Sequence, residues 1–222
     1  MALWTWWPGD QLPPVRGLDG FNVDRRASVD ELGLFTGLSA DEIDKRIRNG
    51  NTCYLGRLDE APVAYGWVAT SVADIGELEV SFQLDGRNRY LWDFQTLPDW
   101  RGRGIYPLLL QAILAEEGMD DHQFWIITAP ENRASARGIE KAGFTPAAQL
   151  AFTDEGRAGL VAIDWREQRV LAGAAVLGVP SSQPTEGDAL SPCWCCIIDV
   201  VEQSAPAACW GPSRSGAQTC NC

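Results

Sequence analysis

The chain has 222 residues, a net charge of −12, and 45% hydrophobic and 9% aromatic content, which suits one sizeable core plus an extension. The acidic balance excludes a nucleic-acid or anionic-membrane surface as the main partner, since both attract basic faces, and it suits a cationic or amine partner better. No apolar run approaches the roughly 20 residues of a membrane span and no basic region precedes an apolar core at the N-terminus, so a cytoplasmic protein is expected.

Residues 1–20 carry Trp4, Trp6 and Trp7 together with Pro8, Pro13 and Pro14. This segment cannot be one regular helix, and its tryptophans are expected to pack onto a domain spanning residues 21–166. Phe21 to Asp24 reads as a short strand. Ser28 and Ser39, each followed three residues on by a glutamate, read as capping boxes opening helices to about Phe35 and Arg48. Thr52 to Leu58 and Pro62 to Thr70 form a hairpin about Asp59-Glu60, and Gly76 to Leu84 is expected as one further strand. A turn through Asp85-Gly86-Arg87-Asn88 leads into a strand from Arg89 to Thr96.

After that strand comes Leu97-Pro98-Asp99-Trp100-Arg101-Gly102-Arg103-Gly104-Ile105-Tyr106-Pro107, then an apolar helical run to Glu117. A strand, a glycine turn and a helix start leave backbone N–H groups pointing outward at the positive end of the helix dipole, a natural seat for phosphate. Gly102 and Gly104 permit close approach to the main chain, and Arg101 and Arg103 add charge. The Lys-Ser/Thr ending of a nucleotide P-loop and the three-glycine spacing of a dinucleotide site are both absent.

Gln123 to Thr128 is a continuous apolar run suited to a strand buried on both faces. Asn132 caps a helix to Ala142, and Gly143 ends it. Strands Phe144 to Phe152 and Gly159 to Trp165 follow, then an apolar helix from Arg166 to Gly178. The order implies an α+β fold, a mixed, mostly antiparallel sheet flanked by helices.

The glycine turn resembles the acyl-CoA turn of the GNAT superfamily of N-acetyltransferases, Gln/Arg-x-x-Gly-x-Gly/Ala, with Arg101, Gly104 and Tyr106 on the signature positions; Tyr106 departs from Gly/Ala. Residues 132–144, from Asn132 through Lys141 to Gly143-Phe144, resemble the family's second element, Asn-x-x-Ala/Ser ending in Lys-x-Gly-Phe. The resemblance covers roughly residues 20–165. It implies that acetyl-CoA or another acyl-CoA is co-substrate, held by Gln95, Leu97, Arg101, Gly102, Arg103, Gly104, Ile105, Tyr106, Asn132, Ser135 and Lys141, and that a small-molecule or peptide amine is the acceptor. Family members often use a tyrosine of the second helix to protonate the departing thiolate, and here that position is Ile139. Tyr90, Tyr65 or water is then expected as the acid, with Asp93 or Glu79 on the central strands taking the proton of the amine, directly or through water.

His122 is the only histidine, which excludes Ser-His-Asp, Cys-His and His-rich metal sites by inventory. Residues 167–192 read as a helix and linker. Six of the seven cysteines lie in residues 193–222, as Cys193, Cys195, Cys196, Cys209, Cys220 and Cys222. Clustered C-x-C and C-C could bind a soft metal such as Zn(II) or Cu(I), but no His or regular C-x-x-C pair accompanies them, so no closed zinc finger is expected and no metal ligand is assigned. A second reading makes the residues after about 173, this tail included, a peptide that a partner enzyme modifies and releases, with the preceding domain as its recognition leader.

Overall fold

The tryptophan-rich start of the chain is a strand. β1 (Ala2–Trp6) is buried along its whole length and lies antiparallel to two strands from the far end of the sequence. Residues 2–6 are therefore part of the sheet: Thr5 Oγ1 donates to the carbonyl of Phe124, and Trp4 Nε1 donates to Thr128. The structure, a computed structural model, describes residues 1–76, 80–152, 158–163 and 167–182.

After β2 (Phe21–Asp24), two serines open the helices α1 (Val29–Thr36) and α2 (Ala40–Arg48). Each hydroxyl accepts the N–H three residues on, Ser28 from Glu31 and Ser39 from Glu42, both at 3.2 Å. That satisfies one of the donors a helix start leaves free. The glutamates turn outward: Glu31 pairs with Arg57 at 2.6 Å and Glu42 with Arg46 at 3.1 Å.

β3 (Asn51–Leu58) and β4 (Ala61–Ala69) form the expected hairpin. Its turn residues Asp59 and Glu60 both have positive φ, 47° and 67°, the backbone that matches the right-handed twist of two strands. The stretch Gly76 to Leu84 is not one strand. Val80–Gln83 is strand β6, and it pairs with β5 (Val72–Ile75) in a separate two-stranded sheet, because Val72, Ala73 and Ile75 supply a nearer antiparallel partner. Residues 77–79 between them, including Glu79, lie outside the described residues.

β7 (Asn88–Thr96) leads through a 3₁₀ turn, Pro98–Trp100, to α3 (Ile105–Glu117). β8 (Gln123–Thr128), α4 (Arg133–Lys141), β9 (Thr145–Phe152), β10 (Ala158–Ala162), α5 (Glu167–Leu177) and β11 (Ser181–Ser182) complete the order. The main sheet has nine strands in the order β11-β10-β9-β1-β8-β7-β4-β3-β2. Pairing is antiparallel except between β7 and β8, which α3 connects, and between β10 and β11. This is an α+β fold with helices on both faces. α3 and α4 bury Leu109, Ile113, Leu114 and Ile139 against Trp4, Phe124 and Leu91. On the other face α1 and α2 cover Leu55, Tyr65 and Trp67, and α5 covers Leu3, Trp125 and Leu160.

No helix among the described residues is long and apolar enough to cross a membrane. They hold no cluster of His, Cys, Asp or Glu fit for a metal ion. The cysteine-rich stretch 193–222, with the released-peptide reading attached to it, lies outside the described residues.

Candidate active site

The site begins where two parallel strands part. β7 pairs with β8 only from Asn88↔Gln123 to Leu91↔Ile126; beyond Leu91, β7 keeps its pairing with β4 alone. An opening is left between the two strands, and the helix that follows each strand, α3 or α4, starts beside it.

A bulge in β7 shapes this opening. Trp92 pairs with Trp67 and Gln95 with Tyr65, so Asp93 and Phe94 together face the single residue Gly66. Asp93 takes a positive φ of 48°, a conformation aspartate tolerates better than most residues. The extra residue breaks the alternation of faces: Trp92 packs on the side of α2 and Phe94 on the side of α3.

On the α2 side Asp93 joins a polar cluster. Arg46 donates to Asp93 Oδ2 at 2.6 Å and to Glu42 Oε1 at 3.1 Å. Its guanidinium lies 4.4 Å from the ring centre of Trp92 and 5.0 Å from that of Trp67, so both its charge and its flat face are matched. Tyr65 carries one hydroxyl proton between two acceptors, Gln95 Oε1 at 3.3 Å and Asp93 Oδ1 at 3.5 Å. Burial, with the Asp93 charge beside it, pushes the Tyr65 phenol up to about 12. Cys53, buried on the same side, is likewise pushed up to about 12 by burial.

On the α3 side lies the glycine turn. Gly102 and Gly104 have φ of 75° and 81°, and a Cβ built on either would meet nothing within 4 Å. Gly104 is the N-cap of α3 and no side chain caps it, so the first-turn N–H groups of this helix face outward. Arg101 and Arg103 are exposed. Arg101 Nε donates to the Thr96 carbonyl at 3.0 Å, and the Arg103 guanidinium lies 4.6 Å from the ring centre of Trp100. Ile105 presents its N–H to this turn while its side chain enters the core.

The other expected ligand contacts fall unevenly. Asn132 Oδ1 caps α4 by accepting the Ser135 N–H at 3.1 Å, and Ser135 Oγ lies 3.3 Å from the Tyr106 hydroxyl. Tyr106 thus points across to α4 and not into the anion seat. Gln95 is exposed on β7 beside the opening. The Leu97 N–H is committed to the Val63 carbonyl at 2.9 Å, because the chain is still leaving β4 there, so it is not free to hold a ligand. Lys141 is in the last turn of α4, roughly 9 Å along the axis from Ser135, and does not join the cluster. Tyr90 is buried under the β5–β6 hairpin, its ring 5.2 Å from that of Phe82, since it precedes the bulge. Glu79 is among the residues not described.

Sequence reasoning passed over Arg46, Phe94, Gly66 and Gly138. Two signals were present: the i,i+4 spacing of Glu42 and Arg46, and a glycine at 138 inside a helix, where it is costly unless something must come close.

The acetyltransferase (GNAT) family model matches residues 22–144, more than half of the chain. Compared with the curated proteins, the sequence finds no match. Among solved structures it is similar to a GCN5-related N-acetyltransferase from Kribbella flavida, at 18% identity over 65% of this chain and 53% of that one, with a TM-score of 0.44. A GNAT-family acetyltransferase from Novosphingobium aromaticivorans matches at 16% identity over 65% and 59%, with a TM-score of 0.45. The aminoglycoside acetyltransferase AAC(6')-Ib, solved with ribostamycin and coenzyme A, matches at 16% identity over 63% and 90%, with a TM-score of 0.48. The chain spans only somewhat more than half the length of the first two.

Proposed function

The chain belongs to the GNAT family of acetyltransferases, and we propose that it moves an acetyl group from acetyl-CoA to a small-molecule or peptide amine, in the cytoplasm. The observation that carries this is the conjunction of an uncapped α3 start, with open space above Gly102 and Gly104, and the opening between β7 and β8 directly beside it. The residues fit the donor: the N–H groups of residues 102–106, with Arg101 and Arg103, would take its pyrophosphate, and the opening would take its extended arm. When bound, acetyl-CoA supplies the acetyl group as an activated thioester.

The chain's own task is then to manage two protons. An amine must lose a proton as it acylates, and the leaving sulfur must gain one. Tyr65, opposite Gln95 at the opening, carries its proton at neutral pH as any tyrosine does, and burial raises its phenol further, to about 12, so it is the donor in this reading. Asp93 is the acceptor through Oδ1, since Arg46 holds Oδ2 and fixes the carboxylate against the strained bulge. Ile139 is fully buried and takes no part.

The test is to incubate the full chain with acetyl-CoA and a panel of amines, following free thiol and acceptor mass. Amine-dependent thiol release is expected, and Gly104→Glu should abolish both release and donor binding, because it puts bulk and negative charge into the anion seat at a positive φ. Equal donor affinity for the two proteins would overturn the assignment of the turn.

A further inference from the structure

We infer that the acceptor is an amine carried on an apolar body, an alkylamine or arylalkylamine with no second charged group, and that Phe35, Trp92 and Ile127 form the cleft that selects it. The inference rests on the acetyl-transfer reading above and narrows the class of amine that reaches Asp93.

The cleft lies on the face of the sheet turned away from α3. The α3 turn seats the donor's pyrophosphate on one face, so an amine reaching Asp93 Oδ1 arrives on the other, where Arg46, Tyr65 and Asp93 meet. On that face the core is in two parts, one under α1 and α2 and one under α5 and the β5–β6 hairpin. Among the described residues Trp92 alone packs against both parts, and it directly precedes Asp93. Leu91 and Ile126 are the last residues that pair across β7 and β8. Trp92 and Ile127 are therefore the first residues on either side of the opening, and both pack on this face. Phe35 of α1 forms the other flank: its ring stands edge-on to that of Tyr65, 5.9 Å from centre to centre.

All three side chains are half-buried, and they present apolar surface without an open polar atom. The Trp92 indole N–H is already given to Asn51 Oδ1 at 3.0 Å, and Arg46 covers one face of the ring. The charges around Asp93 are taken as well. Arg46 is paired with Asp93 and Glu42, and Arg57 with Asp24 and Glu31. Lys45 and Asp74 stand beyond Trp92, between α2 and β5, and their opposite signs cancel. The cleft thus offers the transferring nitrogen one carboxylate oxygen and one hydroxyl, and offers the rest of the molecule hydrocarbon. A second ammonium or a carboxylate on the acceptor would leave water for apolar surface with no partner of opposite charge. A methyl or phenyl end gains cover there.

Hexylamine, 1,6-diaminohexane and 6-aminohexanoate share one chain and differ at the far end, and together with 2-phenylethylamine they test this on the full chain with acetyl-CoA. Hexylamine and 2-phenylethylamine should be acetylated with kcat/KM at least about tenfold above the two doubly charged amines, the difference lying in KM. Phe35→Ala and Ile127→Ala should lower kcat/KM for hexylamine roughly fourfold to tenfold, since each methylene that loses apolar cover is worth about fourfold. Both should bind acetyl-CoA in calorimetry as the wild type does. Phe35→Leu and Ile127→Val, which retain apolar bulk, should lose less, and they decide the matter if an alanine variant no longer melts cooperatively. Equal kcat/KM for the three six-carbon amines, a preference for either charged one, or folded variants that treat hexylamine as the wild type does would overturn the apolar cleft and leave acetyl transfer standing. A chain that binds no acetyl-CoA, or that releases no thiol with any amine, overturns the acetyl-transfer reading and the cleft with it.

Discussion

A single hydroxyl at Tyr65 carries the proposed chemistry, and its surroundings make a double prediction. As proton donor, Tyr65→Phe should lower kcat by roughly a hundredfold with little change in donor affinity; an unchanged kcat would remove Tyr65 from the mechanism. The second consequence is on stability. The folded-state pKa of Tyr65 is raised from 10.0 to about 12. Its contribution is therefore fully present below pH 10 and is lost as pH rises through about 12, where the unfolded chain ionises first. Cys53, raised from 9.0 to about 12, acts in the same direction, so Tyr65→Phe should reduce, not abolish, the alkaline loss seen in urea titrations between pH 9 and 12. At this scale the sequence announced the glycine turn at the start of α3, because a strand, two glycines and an apolar helical run mark it locally. It offered Asp93 only as a carboxylate on a central strand; the positive φ of Asp93 and its pairing with Arg46 depend on a bulge that no local pattern encodes.

α1 and α2 begin in the same way, yet only α2 holds a partner of the site, and this separates stability from function. Ser28→Ala and Ser39→Ala each remove one N-cap acceptor and should each cost about 1 kcal/mol. In α2 the first-turn Glu42 pairs with Arg46, and Arg46 in turn fixes Asp93; in α1 the corresponding Glu31 pairs with Arg57, away from Asp93. Equal losses in urea midpoint are expected, with a fall in transfer rate for Ser39→Ala only. Equal rates for both would show that Arg46 holds Asp93 without help from the start of the helix. Both caps, the Asp59-Glu60 hairpin and the α4 helix were legible from side-chain type and spacing, because each is set by contacts a few residues apart. The division of residues 72–83 into a separate hairpin was not, since Ala73 and Phe82 are half of a pairing that alternation in one strand cannot reveal.

Long-range closure decides the limits of the molecule, and it is what the sequence showed least. β1 was not legible as a strand, only as a tryptophan-rich segment that packs on the domain, because its partners lie more than a hundred residues away, as the Thr5 to Phe124 bond illustrates. The same closure draws in α5. Val170, Ala174 and Leu177 are buried against Leu3, Trp125 and Leu160, and a Cβ on Gly173 would stand 2.7 Å from Leu3. Arg169 reaches back to both carboxylate oxygens of Asp10, at 2.6 and 2.8 Å. A chain cut after Arg166 therefore loses the cover of β1 and the edge strand β11. Losing the burial of Val170 and Leu177 alone forfeits about 1.5–3 kcal/mol each, and loss of the Arg169–Asp10 pair adds to that, against a total of about 5–15 kcal/mol for a typical domain. Residues 1–166 should lack a cooperative thermal transition, or melt far below the full chain, whereas residues 1–182, which keep every described element, should melt with it. Calorimetric scans of the two truncations check this, and a cooperative transition of residues 1–166 close to that of the full chain would show that α5 rests on the sheet without supporting it.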